Sequence, residues 1–449
     1  MCMSIKSTYD VIIIGGGMAG CAAASSCATL GHSTLLIDQF GYLGGWATAA
    51  LVNPFMPHRT SDGKQLVGGF FEEILQGLAD LNGLLVNSFD TEILKYVLQE
   101  IVIKSGADIR LHTFFDSASQ DDNGITVQIN SKSGTEQIKC LRLIDCSGDG
   151  DAAVSLGARY EMGDENGLTQ AATLMFDMGG IDLVKALSYV RDNPDQMRFP
   201  KFASDVDIQQ LSDGIISVAG YYDLIESARR NDEYYAPGDL IFYIGRPRKG
   251  EVTFNTTHIG HVNGTNASDL TRAELEGRRQ MMSIVAFVRK YIPGFENAFL
   301  LRSAEHVGVR ETRRITGDYI FSALDVVEAR KFDDAVCRLA YPVDVHSGKG
   351  DGYTKDEEYA GPQAPPPGDW YEIPYLCLLP QSIENVLIAG RCVSSTQAGH
   401  GAIRIMPACA AMGQAAGVAA AISLDSSVSP RMINLYILLN ELKKQGAIV

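Results

Sequence analysis

The stretch YDVIIIGGGMAG, from Tyr9 to Gly20, decides the fold of this chain. Tyr9 to Ile14 is a short apolar run rich in β-branched residues, the pattern of a strand buried on both faces. Gly15-Gly16-Gly17-Met18-Ala19-Gly20 fits G-x-G-x-x-G, and an alanine-rich helix follows from Met18 to about Leu30. Gly15 allows the tight turn, Gly17 lets the backbone approach a pyrophosphate, and Gly20 lets the helix lie close on the strand. The helix N-terminus then offers free N–H groups and a positive dipole end to a phosphate. Ser33 to Asp38 (STLLID) reads as a second buried strand. Asp38, at its end, is placed to accept hydrogen bonds from ribose hydroxyls. A glycine-rich turn of some other α/β protein has the same local pattern, but the strand before it and the helix after it favour a dinucleotide site.

Outward from this βαβ unit, Thr91 to Lys104 has helical apolar spacing, and Ala107 to Phe115 reads as a strand. Asn123-Gly124 and Ser133-Gly134 punctuate alternating segments and predict a small meander. Leu141 to Asp145 returns to a core-strand pattern. Thr271-Arg272-Ala273-Glu274 is a capping box predicting a helix to about Tyr291, stopped by Pro293-Gly294. Val307 to Ile320 reads as a strand region, and GPQAPPPG, Gly361 to Gly368, as a linker. Near the C-terminus, Asn385 to Ala389 predicts a strand, Gly390-Arg391 follows, and an Ala/Gly-rich helix starts near Pro407. The expected class is α/β: a Rossmann-like dinucleotide domain built from both chain ends, 1–160 and 376–449, with an α+β substrate domain, 161–375, inserted between them.

The fingerprint alone does not separate NAD from FAD. Asp145-Cys146-Ser147-Gly148-Asp149 ends a strand in small residues, and Asn385 to Arg391 repeats that design near the other chain end. An NAD-only domain has no need of a closing strand so far away, whereas a FAD fold closes its C-terminal segment over the flavin.

Composition bounds the remaining choices. The chain has 449 residues, 46% of them hydrophobic and 20% charged, ordinary for a globular protein of about three domains, or two large ones. Its formal net charge of -16 opposes nucleic-acid binding. No uninterrupted apolar run suits a membrane, since Ala408 to Ile422 carries Gln414 and two glycines. The start MCMSIKSTYD lacks a signal-peptide core, and the nine cysteines form no CxxC, so free thiols and a cytoplasmic location are expected. His258 and His261 lack further ligands at metal spacing, so no metal is expected.

Five segments resemble the FAD-dependent oxidoreductase family of the glutathione-reductase-like flavoproteins. They are DVIIIGGGMAG (10–20), GYLGGWAT (41–48), LIDCSGDGD (143–151), VGVRETRRITGDY (307–319) and NVLIAGRCVSSTQAGHGAIRIMPACAAMGQAAG (385–417). They occur in the family's order across nearly the whole chain. Cys146-Ser147, where Ala-Thr is commoner, and Trp46 after Gly44-Gly45 are mild departures.

The resemblance implies FAD as cofactor. It implies Gly15, Gly17, Met18, Ala19 and Gly20 around the pyrophosphate, with Asp38 and Gln39 at the adenosine ribose. Gly44, Gly45, Trp46, Ala47 and Thr48 would line the pyrophosphate and flavin path, and Phe115 would meet adenine through its backbone. Cys146, Ser147 and Gly148 allow close approach. Gly390 and Arg391 would touch the pyrophosphate or ribityl chain. Met406 and Pro407 open a helix whose N-terminus would face the flavin pyrimidine.

Catalytic candidates follow from the needs of C–H oxidation: a base, and a cation for developing charge. His400 is the base candidate, against the alternative of a histidine that only holds loop backbone. Arg404 and Arg391 flank the same segment. In an alternating strand, Arg310, Thr312 and Arg314 share one face and Glu311 and Arg313 the other, so the two arginines could bind a carboxylate; an internal ion pair with Glu311 or Asp318 is the competing reading. His346 is a further pocket candidate.

The expectation is therefore a FAD-dependent oxidoreductase moving hydride between a small organic substrate and flavin N5, with acceptor and oligomeric state open. No second G-x-G-x-x-G is present. The alternatives are a thiazole-synthase-like enzyme that consumes NAD, and a protein with structural FAD serving assembly or RNA modification.

Overall fold

The computed structural model describes residues 6–202, 206–214, 216–352 and 363–449. Cys2 and the first two linker residues, Gly361 and Pro362, lie outside the described residues.

The opening strand, Thr8–Ile14, sits at the centre of a seven-stranded sheet. Thr34–Ile37 pairs with it in parallel on one side, and Asp108–Arg110 follows beyond. On its other side lies the long strand Gly134–Asp145, whose last three residues also pair in parallel with Val386–Ile388. Burial on both faces explains the unbroken apolar run. Val11 and Ile13 enter the core containing the first helix, while Ile12 and Ile14 enter an opposite core with Ile125 and Val127. The meander Thr113–Asp121, Gly124–Ser131 and Gly134–Asp145 is antiparallel and covers that second face. Gly124 (φ 130°) and Gly134 (φ 102°) supply its turns.

Helix Met18–Thr29 lies against helix Met406–Asp425 on the first face. Their backbones nearly touch: a Cβ at Gly413 would fall 2.0 Å from the Ala19 carbonyl oxygen, and one at Gly417 2.3 Å from that of Ala23. The run Ala408 to Ile422 belongs to this 20-residue helix, which is long and apolar enough to cross a membrane and is instead mostly buried in the fold.

A second, six-stranded sheet lies within the middle of the sequence. Its order is Met197–Phe199, Ser217–Gly220, Ile241–Gly245, Val252–Phe254, Phe176–Gly179 and Phe299–Ser303, with every neighbouring pair antiparallel. Helix Ala267–Tyr291 packs Met281, Ile284, Val285 and Val288 into one core with Phe176, Tyr243 and Phe254.

Three local expectations are corrected. Ala107 to Phe115 is two strands, because His112 takes φ 53° and the chain changes partners there, from Thr34–Ile37 to the meander. Helix Ala267–Tyr291 begins four residues before Thr271, since the Asn266 side chain caps the N–H groups of Ser268 and Asp269. Thr271 lies inside it and bonds back to the Ala267 carbonyl. Within Val307 to Ile320 only Arg313–Ile315 is a strand, paired with Tyr160–Met162. The Glu311 carboxylate accepts from the N–H groups of Gly163 and Gln170, which ties this stretch to a loop and ends the alternation of faces.

Candidate functional site

A cavity of about 240 Å³ opens at the carboxyl ends of the parallel strands. Ile14 and Ile37 mark two of those ends, Cys146 a third and Gly390 a fourth. This is where an open α/β sheet holds its ligand.

The cavity draws together most of the residues singled out in the sequence. Gly15, Gly17, Met18 and Ala19 come from the first turn, and Asp38 and Gln39 from the second strand's end. Gly44, Gly45, Trp46 and Ala47 form another wall, with Phe115 from the meander. Cys146, Ser147 and Gly148 face Gly390, Arg391, Arg404 and Met406. Gly20, Thr48 and Pro407 stand behind the lining. A Cβ at Gly20 would fall 1.7 Å from the Gly15 carbonyl oxygen, so close packing of helix on strand is its role. Thr48 Oγ1 donates to the Leu43 carbonyl at 2.9 Å, and Pro407 sits in the first turn of its helix. Sequence reasoning missed Phe40, Thr113, Phe114, Asp149, Asp151 and Cys409 as lining residues. Asp149 and Asp151 stood in the quoted 143–151 segment, but their direction was not readable there.

The lining fits a dinucleotide. Gly17 has an ordinary φ of -71°, and a Cβ there would meet nothing nearer than 3.8 Å. Its bareness therefore leaves room on the cavity side. Helices Met18–Thr29 and Met406–Asp425 both begin at this cavity without a side-chain cap or an acidic residue in the first turn. Their first N–H groups and positive dipole ends remain available to an anionic or electron-rich ligand. Gly44 N–H donates to the Gly16 carbonyl at 2.8 Å, which fixes the two glycine segments together.

Asp38 is fixed through both carboxylate oxygens. Oδ2 accepts from the Gly16 N–H and Oδ1 from the Phe40 N–H at 2.7 Å. Burial pushes this carboxyl up to about 6, against those two stabilising N–H donors. Each oxygen keeps a lone pair for a ribose hydroxyl. Arg391 Nη2 pairs with Asp149 Oδ1 at 2.8 Å, and Thr312 Oγ1 donates to the same oxygen at 2.7 Å. The Arg391 guanidinium lies 5.6 Å from the centre of the Trp46 ring.

The catalytic candidates divide. His400 is fully buried behind the lining, with Nε2 2.9 Å from the Arg391 carbonyl. A carbonyl only accepts, so Nε2 carries the proton and Nδ1 is left as a buried acceptor without a partner among the described residues. Burial, then Arg404 and Arg314, hold this imidazole well below its usual range, so it is neutral at neutral pH. Arg314 is not on the cavity: its Nη1 pairs with Glu311, the internal ion pair that was the competing reading of this stretch, although the alternation had put the two on opposite faces. Arg310 donates to the Ala171 carbonyl. Arg404, Asp344 and His346 form a second polar group, with Arg404 Nη2 3.6 Å from Asp344 Oδ2 and His346 Nε2 3.3 Å from Asp344 Oδ1. Burial and Arg310 lower His346 to about 4. Burial, Arg310 and His346 lower His258 to about 3, and its ring centre lies 6.2 Å from that of His346. Among the described residues, no group of three His, Cys, Asp or Glu side chains could hold a metal ion. Cys392 is buried, and burial pushes its thiol well above the usual range.

This chain is 34% identical over 103 residues to a cinnamate reductase of Clostridium sporogenes, a match spanning 23% of this chain and 15% of that protein. Among solved structures, it is similar to a geranylgeranyl bacteriochlorophyll reductase-like protein from Thermoplasma acidophilum. That similarity has 12% identity and a TM-score of 0.46, over 98% of this chain and 84% of the other. A myxobacterial chondrochloren halogenase is also similar, with 10% identity and a TM-score of 0.47, over 98% and 79% of the two chains. The sequence profile described as FAD dependent oxidoreductase matches residues 10–445. The chain therefore belongs to the FAD-dependent oxidoreductase family, enzymes whose cofactor is FAD.

Proposed function

We propose that this chain moves a hydride between a small organic substrate and the N5 position of FAD lying in the cavity described above. One observation carries the reading: two uncapped helix N-termini and the bare Gly17 converge on a single cavity at the strand ends. Gly17 and the N–H groups of Met18 and Ala19 would hold the pyrophosphate, and Asp38 the adenosine ribose. Phe115 would border the adenine. Met406 and the start of its helix would face the pyrimidine end, where a positive dipole offsets negative charge. Arg391 is held in place by Asp149 and Thr312. Bound FAD supplies the two-electron chemistry, and the protein supplies orientation and electrostatics. His400, neutral and hydrogen-bonded to the Arg391 carbonyl, positions that loop and keeps one lone pair at Nδ1. Residues 1–160 and 376–449 form the cofactor domain, and 161–375 the substrate domain.

The test is the visible spectrum of the purified protein before and after anaerobic dithionite, with the supernatant of a denatured sample read alongside. The expected result is a yellow protein that bleaches and releases FAD. Gly17→Ala should fold normally, since its Cβ would come no nearer than 3.8 Å to another atom, yet carry less flavin. A colourless protein that takes up no added FAD overturns the reading and moves the NAD-consuming alternative to first place.

A further inference from the structure

We infer that the six-stranded sheet holds the cofactor in: the chain leaving its edge strand clamps loop 40–49 over the cavity, and the Tyr42–Glu305 bond in that clamp slows the release of FAD; this rests on the flavoenzyme reading above. Phe40, Gly44, Gly45, Trp46 and Ala47 line the cavity from this loop. The other walls stand at strand ends and helix starts, whereas the regular structure in this one is a single 3-10 turn, Gly45–Ala47. Gly44 (φ 114°) and Gly45 (φ 54°) both take left-handed backbone there. A loop with few regular hydrogen bonds opens at lower cost than a sheet or a helix. This wall is therefore the one that can swing aside for FAD, and its fastenings decide how often it does.

The fastenings come from the chain that follows edge strand Phe299–Ser303. Ala304 N–H donates to the Met175 carbonyl at 2.8 Å, and Gly308 and Thr173 exchange backbone hydrogen bonds at 2.7 and 3.1 Å. Both ends of 304–308 are thus tied to the residues leading into strand Phe176–Gly179. Between these ties, the N–H groups of Glu305 and His306 donate to the Ala49 carbonyl at 3.0 and 3.1 Å. The Tyr42 hydroxyl donates to Glu305 Oε2 at 2.6 Å. The His306 ring stacks on Trp46 at 5.5 Å, and Trp46 Nε1 donates to the Val309 carbonyl at 2.9 Å. Lys95 Nζ lies 3.5 Å from Glu305 Oε1, but that carboxylate is 59% exposed and the ion pair adds little. The phenol–carboxylate bond is charge-assisted and is the strong side-chain contact. Glu305 and His306 are not among the cavity-lining residues. They grip the outer side of a loop whose inner side is the wall, so they act on FAD through that loop.

The flavin-loaded protein is diluted, and the FAD it releases is followed by ultrafiltration at timed intervals. Tyr42→Phe and Glu305→Ala should each release FAD about three to ten times faster than the wild type. The double variant should be no faster than either single one, because both remove the same bond. Glu305→Gln, which keeps an acceptor, should release FAD more slowly than Glu305→Ala. Hydrogen exchange gives a second reading on the unaltered protein: removing FAD should speed exchange at the Glu305 and His306 amides while leaving the central strand Ile241–Gly245 unchanged. Wild-type release from both single variants overturns the inference. So does faster release accompanied by an equal loss of apoprotein stability in urea, or exchange at Glu305 and His306 that is blind to FAD. Failure of the parent reading is distinguishable, since it is seen as absent flavin before any release is timed.

Discussion

Asp38 combines structural and ligand-facing work in one buried carboxylate. Gly16 and Phe40 each donate an N–H to it, and its remaining lone pairs face the cavity. Burial raises its titration from 3.8 to about 6. Between those values the folded apoprotein holds a proton that the unfolded chain has lost. Raising the pH through this window therefore costs the apoprotein stability, while producing the ionised form that, on the proposed reading, would accept from ribose hydroxyls. FAD binding should favour the ionised form, so the dissociation constant should rise as pH falls below about 6, by up to about tenfold per unit. Asp151 lines the same cavity and is also pushed up to about 6, by burial and Asp149. Fluorescence titrations from acid to neutral pH separate the two: Asp38→Asn should flatten the profile and Asp151→Asn should keep it. A flat wild-type profile would rule this role out. Asp38 was legible because its spacing from the glycines is a backbone property. The ion pair of Arg314 with Glu311 was legible as the competing reading of the alternating stretch, whereas the bond of Arg310 to the Ala171 carbonyl was not, because Ala171 comes from a segment far off in sequence.

Among the elements, the crossing of helices Met18–Thr29 and Met406–Asp425 sets where both uncapped N-termini point. The crossing is close because Gly413 and Gly417 rest on the carbonyls of Ala19 and Ala23. Gly413→Ala forces a methyl into backbone at 2.0 Å, so the helices must separate. The expected cost is about 1–3 kcal/mol in denaturant unfolding, with FAD affinity falling alongside. Unchanged FAD affinity in a destabilised Gly413→Ala would show that the crossing does not aim the N-termini. Local chemistry made several elements readable: the glycine turns of the meander, the central strand and the stop before Pro293-Gly294. The start of helix Ala267–Tyr291 was misread because both Asn266 and Thr271 carry good capping chemistry, and only one can stand at the N-cap. The six-stranded sheet escaped for another reason. Its neighbours Phe176–Gly179 and Phe299–Ser303 are far apart in sequence, and no local pattern encodes which strands meet.

At the scale of the whole molecule, the six-stranded sheet is tied to the cofactor-side helix Thr91–Ser105 by a charged chain. Asp177, on the strand next to the edge strand Phe299–Ser303, pairs through Oδ2 with Arg246 Nη1 at 2.9 Å and Arg302 Nε at 2.8 Å. Its Oδ1 accepts from Thr253 Oγ1 at 2.6 Å. Arg302 continues to Glu92 and Thr91 at the start of that helix. The two ends of this chain differ in environment. The Asp177 and Arg246 side chains are 2% and 3% exposed, whereas Glu92 is 54% exposed. Removing Asp177 leaves the buried Arg246 guanidinium, among the described residues, only the longer ion pair with Glu251, 3.7 Å from its Nε, and removing an exposed partner leaves a solvated charge. Asp177→Ala should therefore cost about 3–5 kcal/mol in urea unfolding, and Glu92→Gln less than about 1 kcal/mol. Hydrogen exchange should locate the Asp177→Ala loss in the strands Phe176–Gly179, Val252–Phe254 and Phe299–Ser303, which share its hydrogen bonds and ion pairs. Equal small costs for both variants would mean that apolar packing of Phe176, Tyr243 and Phe254 holds this sheet without the buried charges.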